Sequence, residues 1–251
     1  MNDFYDYLIK EYNAPFEGWD FSYLSERMIE DPITWNYKSI VEKELLNKEV
    51  LLDMHTGGGE FLCSLSNLPP KTYATEGYGP NIPIAESRLL KKNITLKPID
   101  GLKRMEIIPF ADCFFDIIIN RHGSYDIEEL KRTLKQDGIF ITQQVGGLNG
   151  IDINMALETK SMDYVEWCLV KNIDMFEKSG MEIIDFGENI GKMKFMDIGA
   201  LVYYLKCIPW QVKNFTIEKY YNKLAIIKKI IDKEGCKNFV MHRFYIKTKK
   251  L

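Results

Sequence analysis

Short apolar runs alternate with amphipathic stretches along most of this chain. Residues 37–47, "YKSIVEKELLN", repeat apolar positions at helical spacing, and "EVLLDM" (49–54) follows as a short buried strand. "TYATEG" (72–77) reads as a second strand. "NIPIAESRLLKK" (81–92) predicts a helix, with Asn81 as its cap and Pro83 in the first turn, where proline is tolerated. "ITLKPID" (94–100) is a third, weaker strand interrupted by Pro98. "FFDIIIN" (114–120) is continuously apolar, the mark of a strand buried on both faces. "DIEELKRTLKQDG" (126–138) predicts a helix: Asp126 and Glu129 have capping-box spacing, and Gly138 suits a left-handed stop. "IFITQQV" (139–145) is again a strand.

Beyond residue 160 the elements lengthen. Residues 164–180 predict a helix ending at Gly180, and "MEIIDFGE" (181–188) a strand. Residues 197–210 read as helical up to Pro209. A long helix is expected from Thr216 to Gly235, and "NFVMHRFYIKT" (238–248) is a final strand. Strands separated by helices imply a doubly wound α/β fold, a mostly parallel sheet with helices on both faces. No linker or repeat divides the 251 residues, so a single domain is expected.

Hydrophobic residues make up 46% of the chain and charged residues 27%, which fits a globular protein rather than a disordered one. No apolar run is long enough for a membrane span. The first twenty residues lack a basic region followed by an apolar stretch and a cleavage site, so no signal peptide is expected and the cytoplasm is the expected location. Five scattered cysteines and three histidines show no metal-ligand spacing, and reduced thiols are expected. Charge is uneven. Residues 191–251 hold 14 Lys and Arg against 4 Asp and Glu, although the whole chain carries a net charge of −3. That excess is either a solvated basic face or a surface for an anionic partner.

In an open α/β sheet, ligands lie beyond the carboxyl ends of the strands. Here the first strand runs out at Asp53 and meets "MHTGGGE" directly. Gly57 and Gly59 permit a tight turn and let a ligand touch backbone. Glu76, at the end of the second strand, can accept hydrogen bonds from a ribose, and Gly77 follows it. Asp100 and Gly101, at the end of the third, could face an adenine edge. "NRHGSYD" (120–126) follows the fourth strand and brings polar and ring groups to the same crevice.

These residues together resemble the class I S-adenosylmethionine-dependent methyltransferases. The family's Asp/Glu-x-Gly-x-Gly-x-Gly loop is matched by Asp53, Gly57 and Gly59, with His55 in the first glycine position. Glu76 matches the ribose-binding acid and Asp100 the adenine-side acid. "FADCFFDIIINRHGSY" resembles the fourth-strand region. The resemblance covers residues 36–200 and the last strand. It implies a Rossmann-like sheet of seven strands, the last antiparallel, with S-adenosylmethionine as cofactor and no metal. It divides the single domain into an N-terminal arm (1–35), a cofactor-binding core (36–190), a helical cover (191–237) and a last strand with its tail (238–251).

The cofactor set is then Asp53, His55, Gly57, Gly59, Glu76, Gly77, Asp100, Gly101, Asn120 and Arg121, with Arg121 facing the methionine carboxylate or a substrate anion. His122 is the candidate general base, because imidazole titrates near neutral pH. Trp19, Tyr125, Tyr203, Tyr204 and Trp210 are candidates for the substrate pocket, and core packing is the competing explanation for such aromatics. A small-molecule acceptor is expected first and RNA second, with no membrane partner, and the oligomeric state is left open. The alternatives are a nicotinamide enzyme, which would need glycine where Leu62 stands, and a nucleotide-binding module without chemistry.

Overall fold

The computed structural model describes residues 3–16, 18–100 and 107–251. In chain order the elements are α1 (Asp3–Tyr12), β1 (Met28–Glu30), α2 (Tyr37–Glu44), β2 (Val50–Met54), α3 (Glu60–Ser64), β3 (Lys71–Glu76), α4 (Ile82–Leu90), β4 (Thr95–Pro98), β5 (Phe115–Arg121), α5 (Ile127–Thr133), β6 (Leu134–Val145), α6 (Ile151–Ala156), α7 (Leu169–Lys178), β7 (Met181–Phe195), α8 (Ile198–Cys207), α9 (Ile217–Glu234) and β8 (Lys237–Lys250). Gly101 lies outside the described residues.

The sheet has eight strands in the order β1-β7-β8-β6-β5-β2-β3-β4. The pairs β2–β3, β2–β5, β3–β4 and β5–β6 are parallel, and β1 is antiparallel to β7. The last strand inserts beside β7 and runs against it: Gly187 faces Tyr245 and Gly191 faces Met241, so β8 recedes as β7 advances. All seven expected strands are present. The eighth, β1, has three residues, too few to leave a periodic signal.

The chain forms two compact units. The first comprises residues 1–33, 146–168 and 189–243, and the second residues 34–145, 169–188 and 244–251. In the second unit the central strand β2 is buried at every position. On one face, Leu51, Ala74, Ile117, Ile119 and Ile141 meet Val41 of α2, Leu62 of α3 and Ala85 and Leu89 of α4. Asp116, in the Phe115-Asp116 pair that opens β5, accepts the N–H groups of Glu49 and Val50 at 3.0 and 2.8 Å and so fixes the entry to β2.

Three local expectations are corrected. The helix from Asp126 stops at Thr133 instead of Gly138, because Leu134 pairs with Phe115 and joins β6; sheet pairing overrides helix propensity there. The Asp126 cap does form, accepting from Glu129 N at 3.0 Å. The helix expected at 164–180 begins at Leu169. Asn81 stands at the cap position of α4 but makes no capping bond, and its amide is buried without a hydrogen-bond partner.

The first unit is built on α1, α8 and α9. Leu8, Leu201, Leu205 and Leu224 pack there with Phe195 and Phe239. α1 and α8 approach closely at Gly199, where any side chain would collide with Tyr7 and Glu11. One ion cluster locks the arm. Arg27 grips Asp197 through two hydrogen bonds of 2.8 and 2.7 Å and reaches Glu11 at 2.9 Å. Asp197 also caps α8, accepting from Ala200 N at 2.8 Å, and Thr216 caps α9. Burial pushes the Asp197 carboxyl up, but Arg27 and the cap outweigh it and hold the group below the usual range.

Asp197→Ala removes both a cap and a charge-assisted pair, and should cost about 2 kcal/mol or more at pH 7. The wild-type advantage is present above the unfolded carboxyl pKa and is lost as pH falls through the depressed folded value. Urea unfolding at pH 7 and pH 3 checks this: the gap between wild type and variant should shrink in acid, and equal stability at pH 7 would refute the role.

Candidate functional site

Four adjacent parallel strands of the second unit, β4, β3, β2 and β5, bring their carboxyl ends to one edge of the sheet. Asp53, Glu76, Asp100 and Arg121 all lie at or just beyond those ends. Asp53 and Glu76 are buried, at 3% and 4% exposure, which is rare for carboxylates unless they are satisfied.

Glu76 is satisfied by backbone. Its Oε2 accepts the Gly57 N–H at 2.7 Å, and its Oε1 accepts those of Gly77 and Tyr78 at 2.8 and 2.7 Å. The end of β3 is thereby tied to the loop after β2. Asp53 is supported differently: it accepts the Thr56 hydroxyl at 2.7 Å. Burial pushes its carboxyl up to about 7, with the Thr56 bond, His55 and Arg121 pulling down and the Glu76 charge pushing up. Asp53 therefore takes up a proton near neutral pH.

The glycines divide the work. Gly57 has φ +63° and open space where a side chain would point, so a ligand can reach the backbone there. Gly59 has φ +81°, and a Cβ on it would sit 3.0 Å from Leu89 of α4, so its task is helix packing. A side chain on Gly58 would strike Glu60 and Arg88, and Arg88 clamps the loop by donating to the Gly58 carbonyl and pairing with Glu60. The helix that follows, α3, is only five residues long, so its dipole adds little.

His55 has φ +56°, a left-handed conformation that costs a non-glycine residue about 1 kcal/mol. A Cβ at Gly123 would lie 2.8 Å from both Cβ and Cδ2 of His55, so the imidazole packs against the loop after β5. Asn120 is fully buried. Its Oδ1 accepts from Thr142 at 3.0 Å and from Gln144 at 2.8 Å, and its Nδ2 faces the Met54 carbonyl at 3.4 Å. Arg121 is exposed, with its guanidinium 5.3 Å from the Phe61 ring centroid. His122 is exposed and left-handed at φ +65°, and its N–H donates to the Gln143 carbonyl at 2.8 Å. Asp100 is exposed beyond β4.

The aromatic candidates separate. Trp19 and Trp210 meet in the first unit with ring centroids 5.6 Å apart, and both are exposed. Phe16 joins Trp19 to Tyr203, and Phe21 joins it to Tyr204. Tyr203 and Tyr204 themselves are buried, and the Tyr203 hydroxyl donates to the Pro15 carbonyl at 2.9 Å. Tyr125 belongs to the second unit. Its ring packs between Phe140 and Phe176, its hydroxyl donates to Asn172 Oδ1 at 2.6 Å, and burial pushes its pKa upward.

Sequence reasoning missed Thr56, Arg88 and Gln144. The Asp53-x-x-Thr56 spacing was a usable signal, since side chains three apart can bond across a tight turn. Arg88 and Gln144 are brought in by tertiary structure and left none. Among the described residues no group of three His, Cys, Asp or Glu side chains is placed to hold a metal ion, and no helix is long and apolar enough to cross a membrane.

The chain has the Rossmann-like methyltransferase fold. A candidate methyltransferase of Bacillus halodurans C-125 superposes with a TM-score of 0.60 at 18% identity, over 86% of this chain and 98% of that one. An S-adenosylmethionine-dependent methyltransferase of Geobacter sulfurreducens, solved in complex with S-adenosyl-L-homocysteine, gives 0.51 at 13% identity over 91% and 96%. An uncharacterised protein of Methanocaldococcus jannaschii is 29% identical over 153 residues, 56% of this chain and 50% of that protein. The match thus spans about half the length of that curated relative. No family model matches the chain.

Asp53 yields a pH test. Its folded value near 7 stands above an unfolded value of about 3.9. Between the two the folded chain holds the extra proton, so this group's contribution is most favourable in acid and falls as pH rises through 7. Asp53→Asn should therefore gain stability relative to wild type between pH 4.5 and pH 8, by a few kcal/mol. A difference that stays constant across that range would mean that Asp53 is ionised throughout.

Proposed function

We propose that the second unit binds S-adenosylmethionine and that the protein transfers its methyl group to a small-molecule acceptor. The observation that carries this reading is Glu76: a buried carboxylate at the end of β3, bonded to the Gly57 N–H beside open space over the loop. That arrangement suits a ribose held by the acid while the rest of a nucleoside lies along backbone. Three backbone donors leave Glu76 with about one unused lone-pair site, so a ribose diol would use that site and exchange with one of the N–H groups. Asp100, exposed beyond β4, would meet an adenine edge, and Arg121, exposed at the end of β5, a carboxylate. The fold shared with the Geobacter methyltransferase supports the same choice.

When bound, the cofactor supplies a methyl group on a positively charged sulfur. The chain's part is to position the partners and exclude water. His122 Nδ1 or Nε2 would take the acceptor's proton where one must leave. Trp19 and Trp210 are the exposed members of the first unit's aromatic group, and Tyr203 and Tyr204 are buried beside them. Trp19, at φ +61°, stores backbone strain, which favours a role beyond packing.

Two other readings are less favoured. A nicotinamide site needs glycine at Leu62, and that leucine is fully buried in the core. RNA binding would draw on the basic C-terminal segment, but its last lysines are engaged within the chain. Lys247 pairs with Glu44 at 3.1 Å, Lys249 with Glu182 at 2.9 Å, and Lys250 donates to the carbonyls of Lys131 and Leu134.

S-adenosylhomocysteine should raise the melting temperature and NAD should not. At a ligand concentration 100-fold above Kd the gain is about 2.7 kcal/mol. A shift with NAD alone would overturn the methyltransferase reading. Glu76→Ala should weaken S-adenosylhomocysteine about 10- to 100-fold by calorimetry, the loss of a charge-assisted bond worth roughly 1.5–3 kcal/mol. Unchanged affinity would make Glu76 a loop brace only.

A further inference from the structure

β7 carries an edge that the rest of the described chain leaves open. It is 15 residues long, yet its outer neighbour β1 pairs only with Met193, Lys194 and Phe195. Asp31 extends that contact by one residue: its N–H donates to the Lys192 carbonyl at 2.8 Å, and its carboxylate accepts the Lys192 N–H at 2.9 Å. The Lys192 backbone therefore points to the outer edge. Backbone groups alternate along a strand, so those of Ile190, Glu188, Phe186, Ile184 and Glu182 point the same way. Among the described residues no strand lies against them. The Phe186 N–H is turned onto the neighbouring Asp185 carboxylate at 2.9 Å.

The same residues share one face of the strand, and the apolar ones are bare. Ile184 is 42% exposed, Phe186 53% and Ile190 59%. Single exposed apolar residues need no explanation. Three on one face of one unpaired edge form a template for another strand.

We propose that β7 pairs antiparallel with β7 of a second copy, making a two-fold dimer. This rests on the edge alone and not on the cofactor reading. Two constraints select the register. β1 and Asp31 fill the edge from Lys192 onward, so an incoming strand must end by Gly191. Placing Phe186 opposite Phe186 does this, with Met181 opposite Gly191. Sliding two residues one way brings Glu182 against Lys192, whose edge Asp31 already occupies. Sliding two the other way sets Glu182 against Glu188, like charge on like. In the chosen register no acid faces an acid. Ile184 lies opposite Glu188 and diagonal to the second copy's Phe186, and Glu182 lies opposite Ile190. The two phenylalanines form a cross-strand aromatic pair at the axis, and the outward-pointing residues of the two copies supply about eight backbone hydrogen bonds, the Phe186 N–H of each copy staying on its own Asp185.

Light scattering on the full chain across a dilution series tests the proposal. Wild type should have twice the 29.3 kDa chain mass and dissociate only on dilution. Phe186→Lys and Ile184→Lys should each weaken the dimer by about 30-fold or more, as expected for central interface residues. Phe186→Tyr should preserve it. Thermal unfolding of each variant separates lost pairing from lost folding. Amide exchange on wild type gives a second readout independent of substitution: the amides of Ile184 and Ile190 should be protected at high concentration and exchange freely on dilution. A wild type that stays monomeric at every concentration would overturn the proposal and leave the edge to a strand of another protein. So would a dimer that survives both lysine substitutions.

Discussion

Glu76 draws three backbone N–H groups to one buried carboxylate, and most of the candidate site follows from that. The Gly57 N–H comes from the loop after β2, whereas the Gly77 and Tyr78 donors come from the turn after β3. The two loops are thus held by one side chain. The constraint behind this is that a buried charge needs several hydrogen bonds to be tolerated. Gly57 aims its N–H inward from a left-handed backbone at φ +63°, which favours glycine, and the side where a Cβ would stand is open.

Asp53 shows the opposite solution to the same problem. It lies one strand away, equally buried, and the Thr56 hydroxyl is its hydrogen-bond donor. Burial then dominates, and the carboxyl holds its proton up to about 7. Of these two neighbouring acids, one accepts three backbone N–H groups and the other a single hydroxyl. Around them the loop is braced from outside, by Arg88 on the Gly58 carbonyl and by His55 against Gly123.

Much of this architecture was legible in the chain. The run "FFDIIIN" became β5, buried throughout its central positions, and Thr216 and Gly235 bound α9 where their side-chain chemistry says they should. Glu76 could be placed at a strand end by counting. Other features could not be read, each for a physical reason. The stop of α5 at Thr133 depends on Leu134 pairing with Phe115, a contact between segments that local propensity does not encode. β1 is three residues long and exists because β7 offers it an edge. Tyr203 and Trp210 look alike as aromatic letters, yet one is core and the other exposed, since Tyr203 lies within the buried helix α8 and Trp210 in the turn beyond its end. The roles of the ion cluster at Arg27 and of Arg88 arise from residues far apart in sequence.

The central claim is that the Glu76 carboxylate, with the Gly57 backbone beside it, is a ribose-binding site. A crystal structure of the protein grown with S-adenosylhomocysteine tests it most directly. The account predicts ribose hydroxyls on the Glu76 carboxylate and the nucleoside lying along the open side of Gly57. A ligand bound elsewhere, with Glu76 keeping only its three backbone donors, would contradict it.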